Sequence, residues 1–521
     1  MPPENGYDSK TKTMHIQDLG QGLHTDVNLF DIPSGGCASC SNVVWTDGYL
    51  RARPGLASIY SPYPWGSEAL CHLALYTDFA SNVTLMAVTR PTAATLNVYK
   101  YTTSWAVVAS GLAGDSTIPI TSCNFKGYWY MTTGGGDMYR YDGTTWASVQ
   151  SLQATARFKL FDRPRIVVAG DSRLFVAGCY TSKDGSASGD FVSYRVAWSD
   201  FLLGEVWGGG TGGGSSGYVD LAQDSAPISG LYYSNSSLLA FKPNSIYIGF
   251  AAGPPKTFDF RQFVSGVGCI SHQTIKRFRE GQILWLGDDD VYLGGPGVTP
   301  TPLGSRIRPR IRSTVDLANI KNSLAVIDQQ YYLYHLILPS AASGRNDKLF
   351  TINLRNGSWW EGALAYPSID VKAAVEFRLS PWRARQLTGT AAGGVFEFDL
   401  GNTTDAGTSF SCSWRTGMAA VRKLSSNQAE QATIEHIRIQ ALQHLTSSVS
   451  LAALHGDGMD RMTTTTFGLQ VVDGAADLMT SARPWSAEHF QLQLSANGEQ
   501  MPSIAEVGVA FKIRSQTHRR A

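Results

Sequence analysis

Residues 31–55, DIPSGGCASCSNVVWTDGYLRARPG, set the reading of the chain. Residues 31–36 read as a turn, 42–45 as a strand and 49–52 as a returning strand, with Pro54-Gly55 as a stop. Asp47-Gly48 between two β-prone runs is a hairpin signal. The favoured two-residue turns need positive φ, which glycine adopts without steric cost. The hairpin is expected to lead into the first of a long series of short strands.

That series begins near His72. Runs at 72–76, 84–88, 96–101 and 105–108 alternate as strands do. The unit from Asn97 to Trp105, NVYKYTTSW, returns from Met138 to Trp146 as MYRYDGTTW. It appears again, degraded, from Leu349 to Trp359, and shortened and without its Trp from Gly394 to Leu400. Each full copy reads strand, tight turn, Trp. Around these units the strands fall into groups starting near His72, Thr121, Pro164, Ala226, Gln273, Ser323 and Val371. A spacing of about 40–60 residues with several short strands per group is the period of β-propeller blades. The rival is a large, irregular β-sandwich. The recurring strand–turn–Trp module favours an all-β propeller of six to seven blades.

The expected organisation is an N-terminal arm (1–30), a propeller with inserted loops (31–407), a β-sandwich-like domain (408–513) and a basic tail (514–521). Strands at 437–441, 449–453, 490–494 and 507–513 mark the sandwich. Residues 430–440 are the strongest helix competitor, and the alternation of Ile437 and Ile439 favours a strand. Loops at 181–190 and 207–217, the latter WGGGTGGGSSG, interrupt the propeller.

Composition agrees. At 521 residues the chain exceeds one ordinary core. Its 53 glycines, 22 tyrosines, 22 phenylalanines and 13 tryptophans suit short strands, tight turns and aromatic packing. A net charge of +1 gives a weak overall field, so nucleic acid would be met through a local patch. The opening MPPENGYDSK lacks the basic and apolar regions of a signal peptide. No apolar run is long enough to span a bilayer. Seven scattered cysteines argue against a disulfide framework and for folding in a reducing cytoplasm.

Motifs for chemistry are weak. Cys37-Ala-Ser-Cys40 lacks the further ligands of a zinc site and the βαβ context of a redox site, and reads as packing. Residues 208–213 match GxGxxG without the flanking strand and helix of a dinucleotide site. Asp288, Asp289 and Asp290 sit between β-like flanks and read as a solvated turn rather than a calcium loop. No HExxH or GxSxG occurs, and residues 182–185 echo the sialidase Asp-box turn only in part. No enzyme, metal or cofactor is expected.

Residues 306–312, RIRPRIR, are the notable charged feature. In an extended segment Arg306, Arg308, Arg310 and Arg312 would share one face, with Ile307 and Ile311 opposite. Such a strip suits a solvated linker, a subunit interface or a loose track for a phosphate backbone.

Three stretches resemble the tail nozzle proteins of short-tailed bacteriophages, the tail tubular protein B family. The first holds Pro33, Asn42, Asp47-Gly48 and Arg53-Pro54-Gly55. The second runs from Phe241 to Ile248, from Val264 to Ser271, through 281–286 and on to Tyr292, with Asp290 where the family pattern has Gly. The third runs from Asp328 to Leu333 and on to Trp359-Trp360. The resemblance covers roughly residues 29–400. It implies a propeller subunit of a ring, commonly a hexamer, at the distal end of the tail. The ring would be assembled in the bacterial cytoplasm, bind the tail adaptor and sometimes fibres or spikes, close the exit channel and then pass double-stranded DNA. Arg306, Arg308, Arg310 and Arg312 are then expected at a subunit junction or on the channel. The alternatives are a head-to-tail connector or stopper propeller, a propeller glycan hydrolase, and a receptor-binding protein.

Overall fold

The structure, a computed structural model, describes residues 11–134, 136–149, 163–180, 190–207, 215–253, 256–279, 281–365, 369–380, 383–420, 431–441, 450–456, 463–467, 469–472, 477–480, 485–498 and 501–514. Most of the 181–190 loop, the GxGxxG match, the first ten residues of the arm and all but the start of the basic tail lie outside them.

Among the described residues, seven antiparallel sheets surround a common axis. Their innermost strands are Ala69–Thr77, Thr121–Phe125, Ile166–Gly170, Gly230–Ser234, Lys276–Arg279, Leu324–Asp328 and Val371–Ser380. The first six blades take their strands in chain order, over residues 69–113, 121–148, 166–220, 230–265, 276–302 and 324–363. The propeller expectation holds, and each blade starts within a few residues of its expected position. The strand–turn–Trp unit is the outer pair of a blade: Trp105 faces Tyr101 and Trp146 faces Tyr141 across the two outer strands. Trp359 is fully buried and donates to the Leu303 carbonyl at 2.7 Å.

Blade seven explains the copy that lacks its Trp. The chain supplies only three strands there, ending at Val395–Asp399. The fourth is Gly55–Ser58, from the other end of the propeller sequence, paired antiparallel to it. This closes the ring, and Gly55 must be glycine. A Cβ there would lie 2.3 Å from the Thr404 carbonyl oxygen.

The hairpin folds as expected but belongs elsewhere. Val43–Thr46 pairs with Tyr49–Ala52, with Asp47 at φ 53° and Gly48 at φ 89°, a turn with two positive φ values. It joins the sheet of Ile504–Arg514 and Gln431–Ala441, as does Lys12–Ile16. Gly36–Ser41, which contains Cys37 and Cys40, pairs with Ser411–Thr416 in the second sheet of the sandwich. The sandwich is therefore discontinuous, built from residues 12–52 and 411–514. The propeller therefore starts after residue 52 rather than at 31, and the described part of the expected N-terminal arm (1–30) contributes the strands Lys12–Ile16 and Gly22–Leu23 to the sandwich. The reason is the pattern of edges. Residues 36–52 make two hydrogen-bonding strand sets, and the C-terminal sheets offer the edges that complete them.

One continuous apolar core runs from the sandwich into blades five and six, joining Trp414, Leu494 and Val509 to Leu286, Phe350 and Trp360. At the seam Arg53 is 2% exposed and uses all five of its donors. They reach Asp405 Oδ1 (3.0 Å) and Oδ2 (2.6 Å), the carbonyls of Pro54 and Ala363 (both 2.8 Å), and Asn42 Oδ1 (2.9 Å). Asp405 also accepts the Ala365 amide, and the guanidinium lies 4.0 Å from the Phe410 ring centre. Asn42, at φ 55°, donates through its amide to the Ser411 carbonyl.

Removing one partner of such a pair strands a charge in the interior. Arg53→Ala should lower the unfolding free energy by about 3–5 kcal/mol in urea titrations followed by tryptophan fluorescence. Gly48→Val should cost about 1–2 kcal/mol through backbone strain alone, since nothing lies within 4 Å of its Cβ position. Unchanged midpoints in both variants would contradict this account.

Candidate functional site

The arginine run does not form an extended strip. Ser305–Ile307 is a 3₁₀ turn and Arg308–Thr314 a short helix with Pro309 in its first turn. Proline fits there because its fixed φ suits a helix start and its missing N–H has no intrahelical acceptor. Ile307 is buried and Ile311 half-buried, four apart on one helical face. That spacing was the available signal, masked by the alternation of Arg and Ile.

Helical geometry sends the four arginines in different directions. Arg308 bonds Asp290 Oδ2 at 2.6 Å and approaches Asp289 at 3.7 Å. Asp290 is not solvated, contrary to expectation. It is 3% exposed, and its Oδ1 accepts the amides of Val291 and Gly304. The carboxylate thus ties blade five to the helix, and the bond holds the Arg308 guanidinium above its usual pKa. Arg310 Nε bonds the buried Glu361 at 2.7 Å, and Lys348 shares that carboxylate. Arg306 accepts the Thr25 amide and hydroxyl on its backbone carbonyl. Arg312 is exposed. The run lies at the seam between propeller and sandwich within one chain. Arg308 and Arg310 fasten the helix to blades five and six, the Arg306 carbonyl links it to Thr25, and Arg312 is presented outward.

The second constellation is the bore of the propeller. His72 (blade one) contacts Ser122 Oγ (blade two) through Nε2 at 2.8 Å. Burial pulls His72 down to about 3, helped by the charges of Lys276 and His272 from the far side of the ring. His272 is likewise pulled to about 4, and Lys276 to about 8 against the attraction of Glu376. Asp328 is raised by burial, with Glu376 adding repulsion. No short motif marks these groups. They come from five blades and meet only because their strands surround one axis. Among the described residues, no three His, Cys, Asp or Glu side chains group to hold a metal. All seven cysteines are described and carry free thiols, with Cys37 and Cys40 buried. No helix among the described residues is long and apolar enough to cross a membrane.

The chain is a seven-bladed β-propeller protein with a discontinuous β-sandwich. No protein-family model and no curated protein matches it. Solved structures similar to it include the Neurospora crassa Pan2 WD40 domain. That match is 11% identical with a TM-score of 0.38, covering 68% of this chain and 96% of that one. The WD40 propeller of Doa1 is 9% identical with a TM-score of 0.37, covering 66% and 97%. YCF48 from Cyanidioschyzon merolae is 10% identical with a TM-score of 0.37, covering 67% and 100%.

The bore histidines set an acid limit. Native His72 and His272, and the buried His335 (pulled to about 3), hold a proton less tightly than in the unfolded chain. Between about pH 6.5 and 4 the unfolded state therefore binds more protons, and stability falls as pH falls. Melting temperature should drop steadily across that window. His72→Gln should make the drop shallower; an equal slope in wild type and variant would refute this.

Proposed function

We propose that this chain is a structural virion protein: one subunit of a ring at the distal end of a short bacteriophage tail. It closes the DNA exit channel and later conducts the genome, and it catalyses no reaction. The supporting observation is where the nozzle-like residues fall. Asn42, Arg53 and Gly55 form the seam and close the propeller. Gly268 lets blade four meet blade five, since a Cβ there would lie 2.0 Å from the Lys242 carbonyl oxygen. Lys242 is itself buried and donates to the Leu221 carbonyl at 2.6 Å. Asn42 and Arg53 thus join sandwich and propeller through buried hydrogen bonds, as a subunit of a load-bearing ring requires.

In this reading the partners are further copies of the chain, the tail adaptor, fibres or spikes, and passing double-stranded DNA. A net charge of +1 suits a channel through which DNA slides, because each phosphate contact would retain it. A second reading, a propeller glycan hydrolase, draws on the bore, where Asp328 and Glu376 act on one another beside Lys276. A glycan-release assay with host surface polysaccharide separates the two.

Purified protein should sediment as a closed oligomer and appear as rings in negative stain. Arg312→Glu should reduce ring formation at least tenfold while leaving the monomer's melting temperature unchanged, since the side chain is exposed. Arg308→Ala and Arg310→Ala should instead lower stability by about 1–3 kcal/mol each, since each removes a charged hydrogen bond to a buried carboxylate, with Arg310→Ala at the lower end because Lys348 still pairs Glu361. A monodisperse monomer at high concentration would refute the ring.

A further inference from the structure

One mouth of the propeller axis holds two adjoining cavities, of about 260 and 190 Å³. They share a wall formed by Thr117, Ile118, Pro119, Gln273 and Asn322. Arg90 and Lys372 line the first cavity, and Arg165 and Lys321 the second. These cations come from four separate parts of the ring: blade one, the entries to blades three and six, and blade seven. No carboxylate lines either cavity. Two acids stand outside the lining: Asp115, whose carboxylate acts on Arg90 and Arg165, and Asp370. Asp115 accepts the amide and hydroxyl of Thr117, both at 2.8 Å. Asp370 accepts the Asn346 amide and pairs with Lys372 at 2.8 Å.

The walls are fixed before any ligand arrives. Asp115 pins the Thr117 turn. The Asn346 side chain donates to the carbonyls of Asn322 and Val371, both at 2.9 Å, tying blade six to blade seven at the rim. The Arg165 guanidinium is stacked 4.2 Å from the Phe191 ring centre. Preorganised cations around a partly enclosed opening favour a compact multivalent anion, because several charges act on it at once with little ordering cost. Between the cations stand neutral groups, Thr117, Gln273 and Asn322, that suit hydroxyls rather than further charge.

We propose that this mouth binds a small phosphorylated sugar, its phosphate held among Arg90, Arg165, Lys321 and Lys372 and its hydroxyls against the shared wall. The site is independent of the nozzle reading and of the arginine helix.

Calorimetric titration of the full chain at low salt tests it, with glucose 6-phosphate as probe and inorganic phosphate, glucuronate and glucose as comparison ligands. Glucose 6-phosphate should bind saturably with one site per chain. Phosphate and glucuronate should bind at least tenfold more weakly, and glucose should give no heat. The Lys321→Gln/Lys372→Gln variant should weaken glucose 6-phosphate at least tenfold. Because Lys372 also touches Asp370, the single Lys321→Gln variant, changed at an exposed side chain, is measured beside it and should weaken binding at least threefold at an unchanged melting temperature. Absence of saturable binding, equal affinity for glucuronate or phosphate, or unchanged affinity in Lys321→Gln would overturn the proposal.

Discussion

A buried guanidinium must satisfy every N–H it carries, and Arg53 does so by drawing on both domains at once. Its five donors reach the hairpin through Asn42, blade six through Ala363, and the segment leaving blade seven through Asp405. Asp405 is 0% exposed, so neither charge has water as an alternative. The geometry is satisfied only when hairpin, blade six and the end of the propeller are all in place. One residue therefore makes sandwich docking and ring closure a single event. The apolar core that runs through the same seam supplies the bulk of the burial, and the ion pair fixes its register.

The blades were legible because their signals are local. Alternation, tight turns and the Trp that starts an outer strand repeat within each group, so their spacing survives in the sequence. The hairpin turn was legible for the same reason, since Asp47-Gly48 encodes its φ values directly. What escaped was long-range. Nothing in residues 36–52 says which sheet edge they will complete, because that depends on strands more than three hundred and fifty residues away. The missing Trp near Gly394 was a clue to an absent fourth strand, and Gly55–Ser58 fills that place.

The candidate sites divide the same way. The arginine run was conspicuous, but its alternation suggested an extended strip where Pro309 and the spacing of Ile307 and Ile311 give a helix. Asp290 was visible only as one of three acids at a turn; its value as a buried anchor depends on Gly304 and Arg308, brought close by the blade. The bore and the mouth left no trace in any window. Single residues from successive blades meet there, and only the closed ring makes neighbours of His72 and Lys276.

Closure by Gly55–Ser58 also imposes an order on biosynthesis. Asp405 follows Arg53 by 352 residues. At about 5–20 residues per second, a ribosome needs roughly 20–70 s to deliver it after Arg53 emerges. Throughout that interval the N-terminal strands wait with unpaired edges while the early blades form beside them. The nascent chain thus carries its own latch open, and it becomes a finished ring only when translation has passed the last blade.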